Sequence, residues 1–332
     1  MIGRKYPFMN LKEIFKKQGG MKLLGQYWKG GALFTGVGEF FLLGKSRTAL
    51  EILRLSATLK TKQKLEKKYR WKFEEFDRNY VEKEHKSSNK IWICWFQGLE
   101  EAPEIVKKCY QSVLANNPDK EVILISYDNL EEYVHFPDYI LEKWKKGQIT
   151  NTHMTDLLRL ELLIKYGGMW LDATVYCSSP NIPDYFFDSE LFFYQCLKPG
   201  RDGHATYMSS WLISAKTNNR LLMVTREVCY EYWKRNSSMM DYFLLHDFMS
   251  IALERYFDDW KKIVPRDNAT PHELLLRLFE QYDEVIWEAI REQTPFHKLT
   301  YKFNCEDTEK IDTYYKSVSY THLRAHETSQ DL

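Results

Sequence analysis

Residues 150–177, TNTHMTDLLRLELLIKYGGMWLDATVYC, constrain the fold of this chain more than any other stretch. Met154, Leu157, Leu158 and Leu162 recur at helical spacing, which predicts an amphipathic helix over 152–166. Gly167 follows the last periodic residue and supplies the left-handed backbone that stops a helix, and Gly168 lets the chain turn sharply. Beyond it Met169, Leu171, Ala173 and Val175 alternate with Trp170, Asp172, Thr174 and Tyr176, the period of a strand. That register sets Asp172 and Thr174 on one face, next to Trp170. A helix bearing Asp156 and Arg159 thus runs through a glycine pair into a strand bearing a buried type of carboxylate, which is the grouping of a site.

The surrounding pattern is α/β. IWICWF (91–96) reads as a buried strand, 103–115 as a helix and EVILIS (121–126) as a second strand, a unit that calls for a parallel pair and a right-handed crossover. Ligands bind such sheets beyond the carboxyl ends of the strands, where Trp95, Phe96, Gln97 and Gly98 fall. Strands are also expected at 191–195 and 211–215, and a helix at 220–233. Residues 1–86 form a different kind of sequence, helical in pattern, with glycine breaks at 19–20, 30–31 and 44 and a lysine-rich run over 59–70. Its most apolar part, residues 31–44, is too short to span a bilayer and contains Glu39. It reads either as an interfacial helix with basic flanks or, preferably, as an extension packed on the following domain. Residues 87–316 form that domain, with SSN at 87–89 as the boundary. Residues 317–332 lack apolar periodicity and read as a non-native read-through tail of the kind found in metagenome assemblies; natural sequence is expected to stop near Tyr315 or Lys316. The i, i+4 pair His322 and His326 is excluded with it.

Composition adds exclusions. With 47 basic and 46 acidic residues the whole chain has no field to gather nucleic acid or an anionic membrane, so any basic attraction is local. Aromatic residues make up 15%, a content that serves either a large core or stacking on bases and sugars. Six cysteines without metal-ligand spacing fit a reduced, cytoplasmic protein, and no secretory signal is visible.

The motif region resembles the bacterial capsular polysaccharide synthesis family of glycosyltransferases and, more distantly, glycosyltransferase family 32 and the clostridial glucosylating toxins. The family pattern is Ser-Asp-x-x-Arg on a helix, then Tyr-Gly-Gly-x-Trp-x-Asp. Here Thr155 stands for the serine, Asp156 and Arg159 match, and YGGMWLDAT covers 166–174. Similarity extends over about 90–302, from IWICWFQG to HKLTYK. The resemblance implies a GT-A type fold with a Rossmann-like mixed sheet flanked by helices. It implies transfer of a sugar from a nucleotide-sugar, a UDP-sugar, to a growing surface polysaccharide on a lipid-linked acceptor at the inner face of the plasma membrane, with retention of configuration.

Carried over residue by residue, Asp156 accepts from sugar hydroxyls, Arg159 is a charged donor to the sugar or diphosphate, and Asp172 serves the ribose and a Mn or Mg ion. Trp95 matches a uracil-stacking position, with Gln97 and Gly98 beside it, although Trp95, like Trp92, also suits a core. Thr174 stands at the second position of the Asp-x-Asp pattern. A hydroxyl is a weak ligand for a hard cation, so either Asp172 holds the ion with diphosphate and water, or a positive side chain replaces it. Lys298, beside His297 in HKLTYK, is the candidate, against the ordinary reading of a solvated lysine. His246 and Asp247, in DYFLLHDF (241–248), are candidates for donor or acceptor contact, a hydrogen-bonded core histidine being the other reading. Other functions left open are a nucleotide-sugar or glycan-binding relative without turnover and a glycoside hydrolase, the latter disfavoured because no two carboxylates pair across a cleft and Arg159 suits phosphate.

Overall fold

The computed structural model describes residues 20–44, 46–198 and 205–318. The N-terminal part is helical as expected: α1 (Gly20–Gly30), α2 (Leu33–Leu43) and α3 (Arg47–Asn79). The glycine breaks fall between them, with Gly31 and Gly44 both at φ 76°. Ser46 caps α3 by accepting from the Ala49 amide at 3.1 Å. α3 is more than an appendage, since Leu65, Tyr69, Phe73 and Phe76, spaced at one face of the helix, join the same core as the central sheet.

After an extended segment the sheet begins. β1 (Lys90–Cys94), α4 (Glu104–Asn116) and β2 (Glu121–Ile125) form the expected unit, with β1 and β2 parallel. Then come α5 (Asp138–Lys145), α6 (Asn151–Tyr166), β3 (Gly168–Asp172), β4 (Val175–Cys177), β5 (Leu191–Gln195), β6 (Met208–Ala215), α7 (Arg220–Arg235), α8 (Leu244–Arg255), α9 (Glu284–Gln293) and β7 (Phe296–Lys298). The main sheet runs β2-β1-β3-β6-β5, parallel across its first three strands and antiparallel across its last three. The mixed α/β architecture and the N-terminal helices expected from the sequence are both present.

Gly168 is where the path into β3 demands glycine. Its φ is 93°, and a Cβ there would lie 2.3 Å from the Lys90 carbonyl oxygen. The Trp92 indole, fully buried, donates to the Gly167 carbonyl at 2.9 Å and ties this corner to β1. Trp92 is therefore core.

The long strand expected over 169–176 is corrected. β3 ends at Asp172, Ala173 and Thr174 form a turn, and Val175 starts β4, which pairs antiparallel with β7 in a separate two-stranded sheet. Alternation of apolar and polar residues continues through the turn and cannot register a change of sheet. The consequence is functional, because β7 delivers Lys298 to the end of β3. In the C-terminal part Val318 is buried with Tyr314, and Ser317 donates its amide to the Thr313 carbonyl at 3.0 Å. The rest of the expected tail, residues 319–332 with His322 and His326, lies outside the described residues.

Candidate active site

The site forms at the carboxyl ends of β1 and β3, where Cys94 and Asp172 are paired in register. Thr150 caps α6 by accepting the His153 amide at 3.2 Å, and the helix then presents His153, Asp156 and Arg159 on successive turns toward the sheet. All three are almost fully buried. Buried charges need partners, and these have them. Arg159 Nη1 lies 3.1 Å from Asp156 Oδ1 and donates to the Ser210 carbonyl at 2.8 Å; Nη2 lies 3.3 Å from Asp172 Oδ1. The guanidinium also rests 5.0 Å from the centre of the Trp170 ring.

Trp170 and Asp172, two residues apart on β3, share a face as expected, and the indole N–H donates to Asp172 Oδ1 at 3.0 Å. That oxygen therefore takes two donors. The other, Oδ2, faces Lys298 Nζ at 3.7 Å, and Lys298 donates to Thr174 Oγ1 at 2.6 Å. The Asp172 side chain is 30% exposed, against 9% for Asp156 and 4% for Arg159. Its outward oxygen and Lys298 are thus the open end of the network, and Asp156 with Arg159 its buried anchor.

Burial alone would raise the Asp156 carboxyl. The Arg159 guanidinium and the His153 hydrogen bond outweigh it and hold that carboxyl below the usual carboxylate range. His246 sits close enough to feel Asp156, Arg159 and Asp172, and burial pushes it down to about 4, so it is a neutral imidazole. Its Nδ1 is buried without a hydrogen-bond partner among the described residues, as is Arg159 Nε.

Of the residues singled out from sequence, Asp156, Arg159, Asp172, Thr174 and Lys298 come together, with His246 beside them. Trp95, Gln97 and Gly98 follow β1 at the same sheet end. Gly98 has φ 82° in open space, and Trp95 meets Tyr301 edge-on at 5.3 Å. His297 and Asp247 are placed elsewhere. Alternation along β7 turns His297 inward, where it is fully buried, shares a 2.9 Å hydrogen bond with Ser178 and is driven down to about 3 by burial. Asp247 points into the core with neither carboxyl oxygen hydrogen-bonded among the described residues; burial first, and then the Asp241 carboxylate, raise its carboxyl well above the ordinary range.

Sequence reasoning passed over His153, Trp233, Ser210 and Tyr242. His153 had a signal, since it precedes Asp156 by one helical turn. Tyr242 lies in the DYFLLHDF block that yielded His246 and Asp247, whereas Trp233 and Ser210 come from distant segments and had none. A groove of about 630 Å³ lined by Tyr127, Phe136 and Trp144 lies beyond β2 and includes none of Asp156, Arg159 and Asp172.

Residues 47–318 match the family model described as capsular polysaccharide synthesis protein, a span that covers α3, both sheets and every residue of the site. The chain belongs to this family. Among its curated relatives, the O-glycosyltransferase PaGT of Phomopsis amygdali is 26% identical over 169 residues, 46% of this chain and 40% of the relative. The O-glycosyltransferase braB of Annulohypoxylon truncatum is 32% identical over 96 residues, 26% of this chain and 23% of the relative. The chain thus spans less than half the length of either. Among solved structures, PaToxG Glycosyltransferase aligns at 14% identity and a TM-score of 0.36, over 81% of this chain and 98% of the other.

At this site one carboxylate oxygen, Asp172 Oδ2, faces outward where a divalent ion could meet it. Among the described residues no three His, Cys, Asp or Glu side chains gather to form a cation site. Beside Asp172 stand a hydroxyl and an ammonium, and a hard cation prefers neither.

Proposed function

We propose that this protein is a glycosyltransferase that moves a sugar from a UDP-sugar to a growing surface polysaccharide on a lipid-linked acceptor, with retention of configuration. The observation that carries this reading is Asp172, braced on one oxygen by Arg159 and Trp170 and open on the other toward Lys298. In this reading Asp172 Oδ2 accepts from ribose or sugar hydroxyls, and Lys298 supports the charge that develops on the leaving diphosphate. Asp156 holds Arg159, so the brace on Asp172 stays fixed while charge moves. The exposed rings of Tyr242 and Tyr301, with Trp95, offer faces for base or sugar.

The bond from the anomeric carbon to the diphosphate oxygen breaks, and its electron pair leaves with UDP. The acceptor hydroxyl forms the new bond on the same face and gives its proton to the departing phosphate oxygen. No protein base is required. Two observations disfavour a hydrolase: Asp156 and Asp172 bind the same guanidinium rather than opposing each other across a cleft, and the Asp156 carboxyl is held low, the reverse of a general acid.

Among the described residues no helix is long and apolar enough to cross a membrane. We place the protein in the cytoplasm, peripheral at the inner membrane face where a lipid-linked acceptor would be presented. The test is release of UDP from a panel of UDP-sugars, with and without acceptor glycan, and NMR of the product anomer. Donor binding without any turnover would leave only the binding-relative reading.

A further inference from the structure

The N-terminal helices present a surface that the chemistry above does not use. Ten of the 22 exposed large apolar side chains among the described residues fall between Leu24 and Leu59. The strongest group is on α2. Gly36 packs that helix against Tyr27 and Leu53, whereas Phe34, Phe41 and Leu42 face away and are 81%, 81% and 84% exposed. They recur at i, i+7 and i+8, one face of a helix. A soluble chain seldom leaves such a face open without a partner.

A second observation names the partner's chemistry. Residues 20–79 carry 13 Lys and Arg against 6 Asp and Glu, although the whole chain is nearly neutral. Part of this excess lines a crevice of about 390 Å³ that includes Trp28, Lys29, Lys64, Lys68 and Arg235. Arg235 is paired with Glu231, but Lys29, Lys64 and Lys68 donate only to the Ser238 hydroxyl, the Lys29 carbonyl and the Asn236 side-chain oxygen. No carboxylate neutralises these three among the described residues. Burial, and then the like charges of Lys64 and Arg235, lower Lys68 from the ordinary lysine range, which an incoming anion would reverse.

We propose that the outer face of α2 and the lysine crevice lined by α1, α3 and the end of α7 dock the protein on an anionic lipid bilayer, Phe34, Phe41 and Leu42 entering the acyl boundary and Lys29, Lys64 and Lys68 meeting headgroup phosphates. An apolar face with a basic flank is the combination that strong binding to an anionic surface needs, the apolar face alone giving weak binding to neutral lipid. The surface adjoins the site through one segment. Asn236 and Ser238 accept from the crevice lysines, Asp241 from Thr58 of α3 at 3.4 Å, and Tyr242 follows beside the site, its phenol raised by burial and then by the Asp156 carboxylate. The purpose of docking, access to a lipid-linked acceptor, rests on the reading above; the surface itself does not.

The test is cosedimentation of the full chain with vesicles of phosphatidylcholine alone or with about a third phosphatidylglycerol. Wild type should bind the anionic vesicles and release them as salt rises. Changing Phe34, Phe41 and Leu42 to Ser should abolish binding to both kinds. Changing Lys29, Lys64 and Lys68 to Gln should lower anionic binding ~10²-fold and leave the weak neutral binding alone. UDP-sugar turnover with a soluble acceptor should be unchanged in both variants, which keeps this test separate from that of the activity. Wild type left in the supernatant, or serine variants that bind as wild type, overturn the proposal. So does a wild-type dimer without lipid that the serine changes dissolve, since a second copy would then cover the face.

Discussion

The Trp233 indole N–H donates to His153 Nε2 at 2.9 Å. An indole can only donate, so that nitrogen carries no proton, and the proton on Nδ1 points to Asp156 Oδ2 at 3.1 Å. A residue on α7 thereby fixes the tautomer of a histidine on α6, and the histidine fixes the carboxylate that holds Arg159. Trp233→Phe removes the constraint and lets the ring flip or change tautomer. Turnover should fall ~10-fold while UDP binding is largely kept, as expected for loss of one orienting hydrogen bond. Equal and large losses of Tm and UDP affinity would show a packing role instead.

Asp172→Asn and Arg159→Ala should each lower turnover ~10²-fold or more, the scale for removing preorganised charge support. Circular dichroism should show folded proteins. Wild-type rates in either variant would sink the assignment of the site.

Lys298 carries the prediction about metal. With a hydroxyl and an ammonium beside Asp172, titration of Mn by calorimetry should give weak binding to the protein alone and tighter binding with UDP present. Lys298→Ala should lower turnover, and combined with Thr174→Asp it should create a pair of carboxylates and strengthen Mn binding without UDP. Tight Mn binding by the unaltered protein alone would contradict this account.

His246 and His297 set an acid limit on stability. Both are pushed below the ordinary histidine value, to about 4 and about 3, by burial. On lowering the pH the unfolded chain takes up these protons first, so the stabilisation is full above about 6.5 and is lost progressively from there down to about 4 for His246 and about 3 for His297. Tm should fall over that range, and His297→Gln should flatten the fall. A Tm independent of pH between 7 and 4 would refute the burial of these neutral rings.

Asp247 gives the opposite sign. Its carboxyl is raised in the folded state, so its contribution is full at low pH and lost as pH rises toward the folded value. Asp247→Leu removes a buried acid whose oxygens lack hydrogen bonds among the described residues, and it should leave Tm unchanged or raise it at pH 7 and above, the gain growing with pH. A drop of several degrees would reveal a polar partner for Asp247.

What the sequence determined by itself was local. Helix periodicity, the Gly167-Gly168 stop and the β-α-β unit depend on neighbours within a few residues, and α6, β3 and the parallel β1–β2 pair follow from them. The motif put Asp156, Arg159 and Asp172 at one site by resemblance. Tertiary structure decided which side chains complete it. Lys298 reaches Asp172 because the chain changes sheets at Thr174 and β4 pairs with β7, a pairing that no periodicity encodes. The adjacent His297 turns inward and Asp247 enters the core because side-chain direction depends on what packs against each face. Trp233 and Ser210 join the network from far along the chain, since a buried imidazole and a buried guanidinium take their hydrogen bonds from whichever elements the fold brings within 3 Å.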